Sequence, residues 1–290
     1  MIRERIDALR ERMIEKNIDV YYIPTADFHQ SEYVGDYFTA RKYMSGFTGS
    51  AGMLIVTKEK AGLWTDGRYF IQAENQLKDS GIELYKMGLE GVPTISEFIL
   101  NEIPENGTVG FDGRVVDAKF GKMLEDKLKK KQAKIIYEED LVDKIWSDRP
   151  AISAKPAFLL DVKYAGKSRE DKLEELRKDM QSFGATTFIC TTLDDIAWLF
   201  NLRGDDILYN PVVLSFACVT MKNAYLFVNE ACISDEIREA FKTANIEIRA
   251  YEEIYTYVSN IKEDEVVLLD SNKVNYKITR LINDKVRIIV

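Results

Sequence analysis

Few residues in this chain have the types and spacing that chemistry needs. Histidine occurs once, as His29. Its neighbours Phe28 and Gln30 give no strand–turn–helix setting for an activated nucleophile, and a lone histidine is more often a hydrogen-bonded structural residue than a base. A dinuclear metal site would have to be built mostly from carboxylates, and the pairs Asp194-Asp195 and Asp205-Asp206 are the candidates. A carboxylate-based metal hydrolase on these four is one residue-level reading. The plainer one makes Asp194 the N-cap of a helix beginning near Ile196, and places Asp205-Asp206 in a turn after Gly204. Gly46, Gly49 and Gly52 form a GxxGxxG pattern that could cradle phosphate. A phosphate loop must lead into a helix N-terminus, however, and these glycines lead into the β-rich run MLIV. Close packing and turns with positive φ explain them better. Asp66-Gly67-Arg68 reads as a turn, with Asp66 capping a helix that starts at Arg68. A cation in a first helical turn opposes the dipole, so Arg68 is expected in a buried or intersubunit salt bridge.

Composition narrows the field. The chain has 290 residues, 46% hydrophobic and 30% charged, which suits a soluble globular protein of two domains. No apolar run approaches the roughly 18 to 20 residues needed to span a bilayer, so no membrane partner is expected. The N-terminus MIRERIDALRERMIEK has no apolar core of a signal peptide. A formal net charge of −8 argues against nucleic acid as a partner. The lysine-rich stretch 127–134 reads as a solvated helix end. Cys190, Cys218 and Cys232 are odd in number and lack CxxC spacing, which fits a reducing cytoplasm.

The elements that must position these residues follow from periodicity. Ile2, Ile6, Leu9 and Met13 lie at helical spacing, and Asp19 to Ile23 reads as a buried strand closed by Pro24. Residues 53–56 and 63–65, joined by a Lys/Glu/Gly turn, predict a β-hairpin. A helix from 68 to about 78, a strand at 82–87 and a helix begun by the capping box of Thr94 and Glu97 come next. A strand at 108–111, a helix at 117–130 and a strand at 134–137 complete the first half.

The second half repeats the first. Leu173, Leu176 and Met180 fall 167 positions after Ile6, Leu9 and Met13, and Asp194 matches Asp27 at the same offset. Val109 to Asp112 matches Val267 to Asp270, and Lys119 matches Lys277, at an offset of 158. The change of offset implies a net deletion of about nine residues and a duplicated unit. The expected fold is therefore α/β, with two tandem duplicated units, each a mixed β-sheet flanked by helices. The expected domains are 1–150 and 157–290, with a proline-bearing linker at about 147–156.

Seven stretches together carry a resemblance. They are DFHQSEY (27–33), SGFTGSAG (45–52), LWTDGRYF (63–70), LYKMGL (84–89), LVDKIWSDRP (141–150), LDDIAWLFNLRG (193–204) and YNPV (209–212). In this order they resemble the N-terminal and middle domains of three-domain Xaa-Pro aminopeptidases, both of the creatinase/prolidase N-terminal type. The resemblance implies a parent hydrolase that releases an N-terminal residue preceding proline from peptides. Its two divalent ions, typically manganese, are held in a C-terminal catalytic domain. Nothing here matches that domain, so no catalytic or metal residue carries over and no cofactor is expected in this chain. It is expected to be the non-catalytic part of a truncated enzyme, shaping substrate access and assembly, with the catalytic domain as its partner and a homodimer as its assembly. Glu32 matches an acidic residue of the family near the substrate cleft; His29 and Arg68 are further substrate-proximal candidates. Arg203 and Asn210 are expected at a structural or domain-interface position. The alternative is a free-standing binding or regulatory module without peptidase activity.

Overall fold

A computed structural model describes all 290 residues, which divide into two compact units. The first comprises Met1–Asp27 and Asp36–Ala151, the second Phe28–Gly35 and Ile152–Val290. The chain therefore visits the second unit for eight residues before completing the first, a placement that the repeat did not signal.

In the first unit, β1 (Val20–Ile23), β2 (Met53–Thr57), β3 (Ala61–Thr65), β4 (Glu83–Lys86), β5 (Thr108–Gly110) and β6 (Lys134–Ile136) form a six-stranded sheet in the order β4-β3-β2-β1-β5-β6. The expected hairpin is β2–β3, and β1 pairs antiparallel with β2. The pairs β1–β5, β3–β4 and β5–β6 are parallel, which makes the sheet mixed. Helix Ile2–Glu15 buries Ile6, Leu9 and Met13 against this sheet, and the core continues through Phe47, Leu54, Val56 and Leu63. Thr94 and Glu97 close the expected capping box on helix Ile95–Glu102.

The segment that ends the first unit is held by stacked rings and cations. Tyr43 lies between the Arg5 guanidinium, 3.9 Å from its centroid, and the Trp146 ring at 4.4 Å. Arg149 stacks on Tyr37 and pairs with the buried Asp140 at 2.6 Å. Burial and the nearby Asp112 raise the Asp140 carboxyl above its ordinary range, against the pull of Arg149.

The second unit adds β7 (Phe158–Leu159), β8 (Thr187–Cys190), β9 (Leu202–Arg203), β10 (Ser215–Thr220), β11 (Ala224–Val228), β12 (Ile246–Ala250), β13 (Val266–Leu268) and β14 (Arg287–Ile289). Its main sheet runs β12-β11-β10-β8-β13-β14, while β7 and β9 make a separate two-stranded ribbon. Strand order and every parallel or antiparallel pairing repeat those of the first sheet. The register repeats too. Val20 pairs with Val109 in one sheet and Thr187 with Val267 in the other, the same positions at the two offsets of the sequence repeat. Helix Arg169–Ser182 takes the place of the first helix, burying Leu173 and Met180. The N-caps also correspond: Asp117 accepts from Phe120 N–H, and Asn275 accepts from Ile278 N–H. No helix is long and apolar enough to cross a membrane.

Candidate functional site

In the first unit the glycine loop is organised from inside. Helix Ala40–Ser45 ends at Gly46, whose φ of 72° is left-handed, while a Cβ at Gly49 would lie 2.2 Å from the Phe47 ring. Of the three glycines only Gly46 has positive φ; the other two are set by packing. The Arg41 guanidinium, 3% exposed, donates to the carbonyls of Phe47 and Gly49 and to Thr25 Oγ1 at 2.9 Å. Thr25 in turn donates to the Gly52 carbonyl at 2.6 Å. The loop thus turns its oxygens toward a buried cation, the opposite polarity from a phosphate cradle. Burial pulls the Arg41 pKa down to about 10. Nothing in the local sequence separates buried Arg41 from exposed Lys42 beside it.

The Asp66–Arg68 corner departs from expectation. The following helix is Phe70–Gln76, its N-cap is Tyr69, and no side chain caps it. Asp66 folds back on its own turn instead. It accepts from the Arg68 backbone N–H at 3.1 Å and from the guanidinium at 2.9 and 2.8 Å. This fork-on-fork pairing holds the Asp66 pKa down at about 2. The Arg68 side chain is 68% exposed, so the expected buried bridge is a local surface pair.

In the second unit, His29 is fully buried. Its Nδ1 lies 3.0 Å from the Thr191 carbonyl, which can only accept, so Nδ1 carries a proton. In the neutral ring Nε2 then accepts from the Tyr251 hydroxyl at 2.6 Å. Phe216 packs on the ring at 4.3 Å, and Asn275 Nδ2 donates to the Phe28 carbonyl at 3.0 Å. These bonds fix the HQSEY segment. They leave Glu32, three residues after His29, exposed and remove His29 from solvent.

The four aspartates do not converge. Helix Leu193–Phe200 is N-capped at Thr192 without a side-chain bond, so Asp194 is not the cap; it and Asp195 sit exposed in the first turn. The two-residue connection from β8 starts the helix earlier than Asp194 suggests. Asp206 is buried and accepts from Ser153 Oγ at 2.6 Å, Lys155 N–H at 3.0 Å and Leu214 N–H at 2.9 Å. It fastens the loop, while Asp205 faces solvent. Asn210 reaches Asp194 at 3.4 Å, and Arg203 donates to the carbonyl of Ala197. Lys172, another buried cation the sequence did not flag, donates to Trp198 O at 2.8 Å and Asn201 Oδ1 at 2.6 Å, closing the helix C-terminus. No group of three or more His, Cys, Asp or Glu side chains is placed to hold a metal ion. A dinuclear centre on these four aspartates therefore does not fit: the one imidazole and Asp206, the one of the four that is buried, are committed to protein hydrogen bonds.

Comparison with known proteins agrees with the doubled fold. The creatinase/prolidase N-terminal domain family matches residues 5–145 and, through a second family of the same description, residues 148–290. A probable Xaa-Pro aminopeptidase P of Pyrenophora teres f. teres is 43% identical over 275 residues, covering 94% of this chain and 42% of that protein. Aminopeptidase P2 of Arabidopsis thaliana is 38% identical over 284 residues, 96% of this chain and 40% of its own length. The chain thus spans less than half the length of these relatives. The crystal structure of X-prolyl aminopeptidase from Caenorhabditis elegans, described as a cytosolic enzyme with a di-nuclear active site, superposes with a TM-score of 0.94 at 32% identity. That superposition covers all of this chain and 50% of the other. The chain belongs to the creatinase/prolidase N-terminal domain family, carrying the domain twice in tandem, and is similar in this to proteins named Xaa-Pro aminopeptidase P.

Proposed function

We propose that this chain is the non-catalytic two-domain part of a proline-specific metallo-aminopeptidase, an enzyme that releases the N-terminal residue preceding proline. The observation that carries the reading is the pattern of coverage. Relatives named as Xaa-Pro aminopeptidases match nearly all of this chain with well under half of their own length. The chemistry then belongs to the remainder of the enzyme, which would hold two divalent ions, manganese by preference. The two units present here shape access to that centre and take part in assembly, in the cytoplasm. The exposed Glu32 and the Arg68–Asp66 corner are the candidates for contact with peptide or with the catalytic domain. His29 serves by fixing the segment that carries Glu32.

The test is cleavage of Xaa-Pro peptides with manganese present. This chain alone is expected to give no product, and a polypeptide joining it to a catalytic domain is expected to be active. Turnover by the 290-residue chain would overturn the proposal. In the joined enzyme, Glu32→Gln is expected to change kcat/KM more for long peptides than for dipeptides.

A further inference from the structure

The second unit's main sheet ends at β12, Ile246–Ala250, which pairs on one side only, in parallel with β11. It is the longest edge strand of the two six-stranded sheets. Asn245, just before it, turns its carbonyl toward Ala224 N–H of β11. Backbone groups alternate in direction along a strand, so residues 247 and 249 also face β11. Ile246, Ile248 and Ala250 then turn their N–H and C=O groups outward. The sequence IEIRA has no proline to block them, and its two charges cancel, Arg249 bonding Glu247 at 2.8 Å.

A helix rims this edge on each face. On the isoleucine face, helix Asp235–Thr243 sets Arg238 and Lys242 one turn apart in a row beside the strand. With Ile246 and Ile248 they border a hollow of about 450 Å³. Glu230 meets Arg238 at 3.1 Å, and Lys242 leaves this side positive. On the other face, Glu253 and Tyr257 of helix Glu253–Ser259 border a hollow of about 260 Å³ with Arg249 and Glu265. Arg249 is answered by Glu247 and lies over the Tyr225 and Tyr257 rings at 4.6 and 5.6 Å, so the two glutamates leave this side negative. One edge thus carries opposite signs on its two faces. Successive side chains of a strand point to opposite faces, so a strand laid beside β12 meets both signs with neighbouring residues. Antiparallel pairing is the more stable, and it matches an apolar residue to Ile248 and a basic residue, the next in sequence, to Glu247. Acidic residues two positions to either side of the apolar one then fall on the face of Arg238 and Lys242. A shift of the charges by one position sends each to the wrong face.

We propose that the free edge of β12 is a strand-addition site for an extended segment of another polypeptide, with acidic side chains set against Arg238 and Lys242 and a basic one against Glu247 and Glu253. Main-chain bonds to Ile246, Ile248 and Ala250 supply the affinity, and the two charged hollows supply the choice of sequence. Three outward-facing residues make a short ladder, so the complex is weak and reversible. The proposal is independent of the aminopeptidase reading, because it concerns a surface of the second unit and no step of peptide cleavage.

The probe is the peptide fluorescein-Thr-Glu-Thr-Ile-Lys-Glu-Thr-amide, titrated with the 290-residue chain and read by anisotropy. Saturable binding is expected. Exchanging the lysine with the glutamate that follows it keeps the composition but reverses both faces, and is expected to weaken binding about tenfold. N-methylation of the peptide's isoleucine removes the central ladder donor without touching the protein, and is also expected to cost about tenfold. Lys242→Glu, at an exposed position, is expected to weaken the parent peptide about fivefold and to strengthen the exchanged one, a gain that only folded protein can show. Absence of saturable binding, which a second copy of the chain seated on the edge would also produce, overturns the proposal. So does equal binding of the exchanged peptide, or indifference to N-methylation or to Lys242→Glu.

Discussion

Replacing Arg41 by methionine tests whether a buried cation organises the glycine loop. The side chain is 3% exposed and has no carboxylate partner; its hydrogen-bond acceptors are Thr25 Oγ1 and two main-chain carbonyls, and its guanidinium lies over the Phe47 ring at 4.9 Å. Methionine matches the length of the stem but donates nothing. Each buried carbonyl left without a donor costs about 1–3 kcal/mol, so the two together cost about 2–6. Part of this is offset because the folded state no longer has to desolvate a cation, the penalty that pulls the Arg41 pKa to about 10. The net expectation is a loss of about 3 kcal/mol from the first unit. At roughly 2–4 °C per kcal/mol for a chain of this order, the transition falls by about 6–12 °C. Urea titration followed by tryptophan emission reads it, since Trp64 and Trp146 lie in the first unit and only Trp198 in the second. Arg41→Lys, keeping one charge but losing the fork, is expected to fall between. A loss below about 1 kcal/mol for methionine would refute the reasoning, because the carbonyls would then be satisfied without the guanidinium.

Two further outcomes follow from the site geometry. All three cysteines are buried in the second unit, and burial raises the Cys190 thiol to about 12 and that of Cys232 to about 11, so native-state alkylation at pH 8 reports opening of that unit. His29→Ala removes a ring that bonds Thr191 and Tyr251, and is expected to speed alkylation by about 30-fold, the equivalent of roughly 2 kcal/mol; an unchanged rate would contradict the structural role. Arg68→Ala is expected to return the Asp66 pKa from about 2 toward its ordinary 3.8, followed by carboxyl carbon shifts. Because the folded pKa is the lower one, the pairing stabilises above the unfolded pKa near 4 and is lost as pH falls toward 2. Its exposure keeps the effect on stability small. A pKa that stays near 2 in the variant would assign the depression to the backbone turn instead.

What the sequence could reveal was what its neighbours determine. The β2–β3 hairpin and the Thr94–Glu97 box are written in residues that touch each other, and the repeat survives as offsets that the two sheets reproduce in register. The failures come from longer range. Thr192 and Asp194 are both good caps, and the end of β8 decides between them. Asp66 is expected to cap a helix start, and its bidentate pair with Arg68 prevails instead. Arg41 and Lys42 look alike in sequence, yet one is pinned under a loop and the other is exposed. His29 bonds residues 162 and 222 positions away, which no local pattern records.

The excursion of residues 28–35 bears on how this chain can be made and divided. As the ribosome releases the first half, the sheet of the first unit can assemble, but Phe28 and His29 must wait for Thr191, Tyr251 and Asn275 to be synthesised. Until then the Phe28 ring and the His29 imidazole, both buried in the folded protein, stay open to solvent and chaperones. No single cut yields two whole domains. Cleavage near residue 151 leaves one fragment with a stray eight-residue strand of chain and the other with a vacant seat for it. If the seat for residues 28–35 holds those fragments together when mixed, a peptide of residues 28–35 is expected to compete for it.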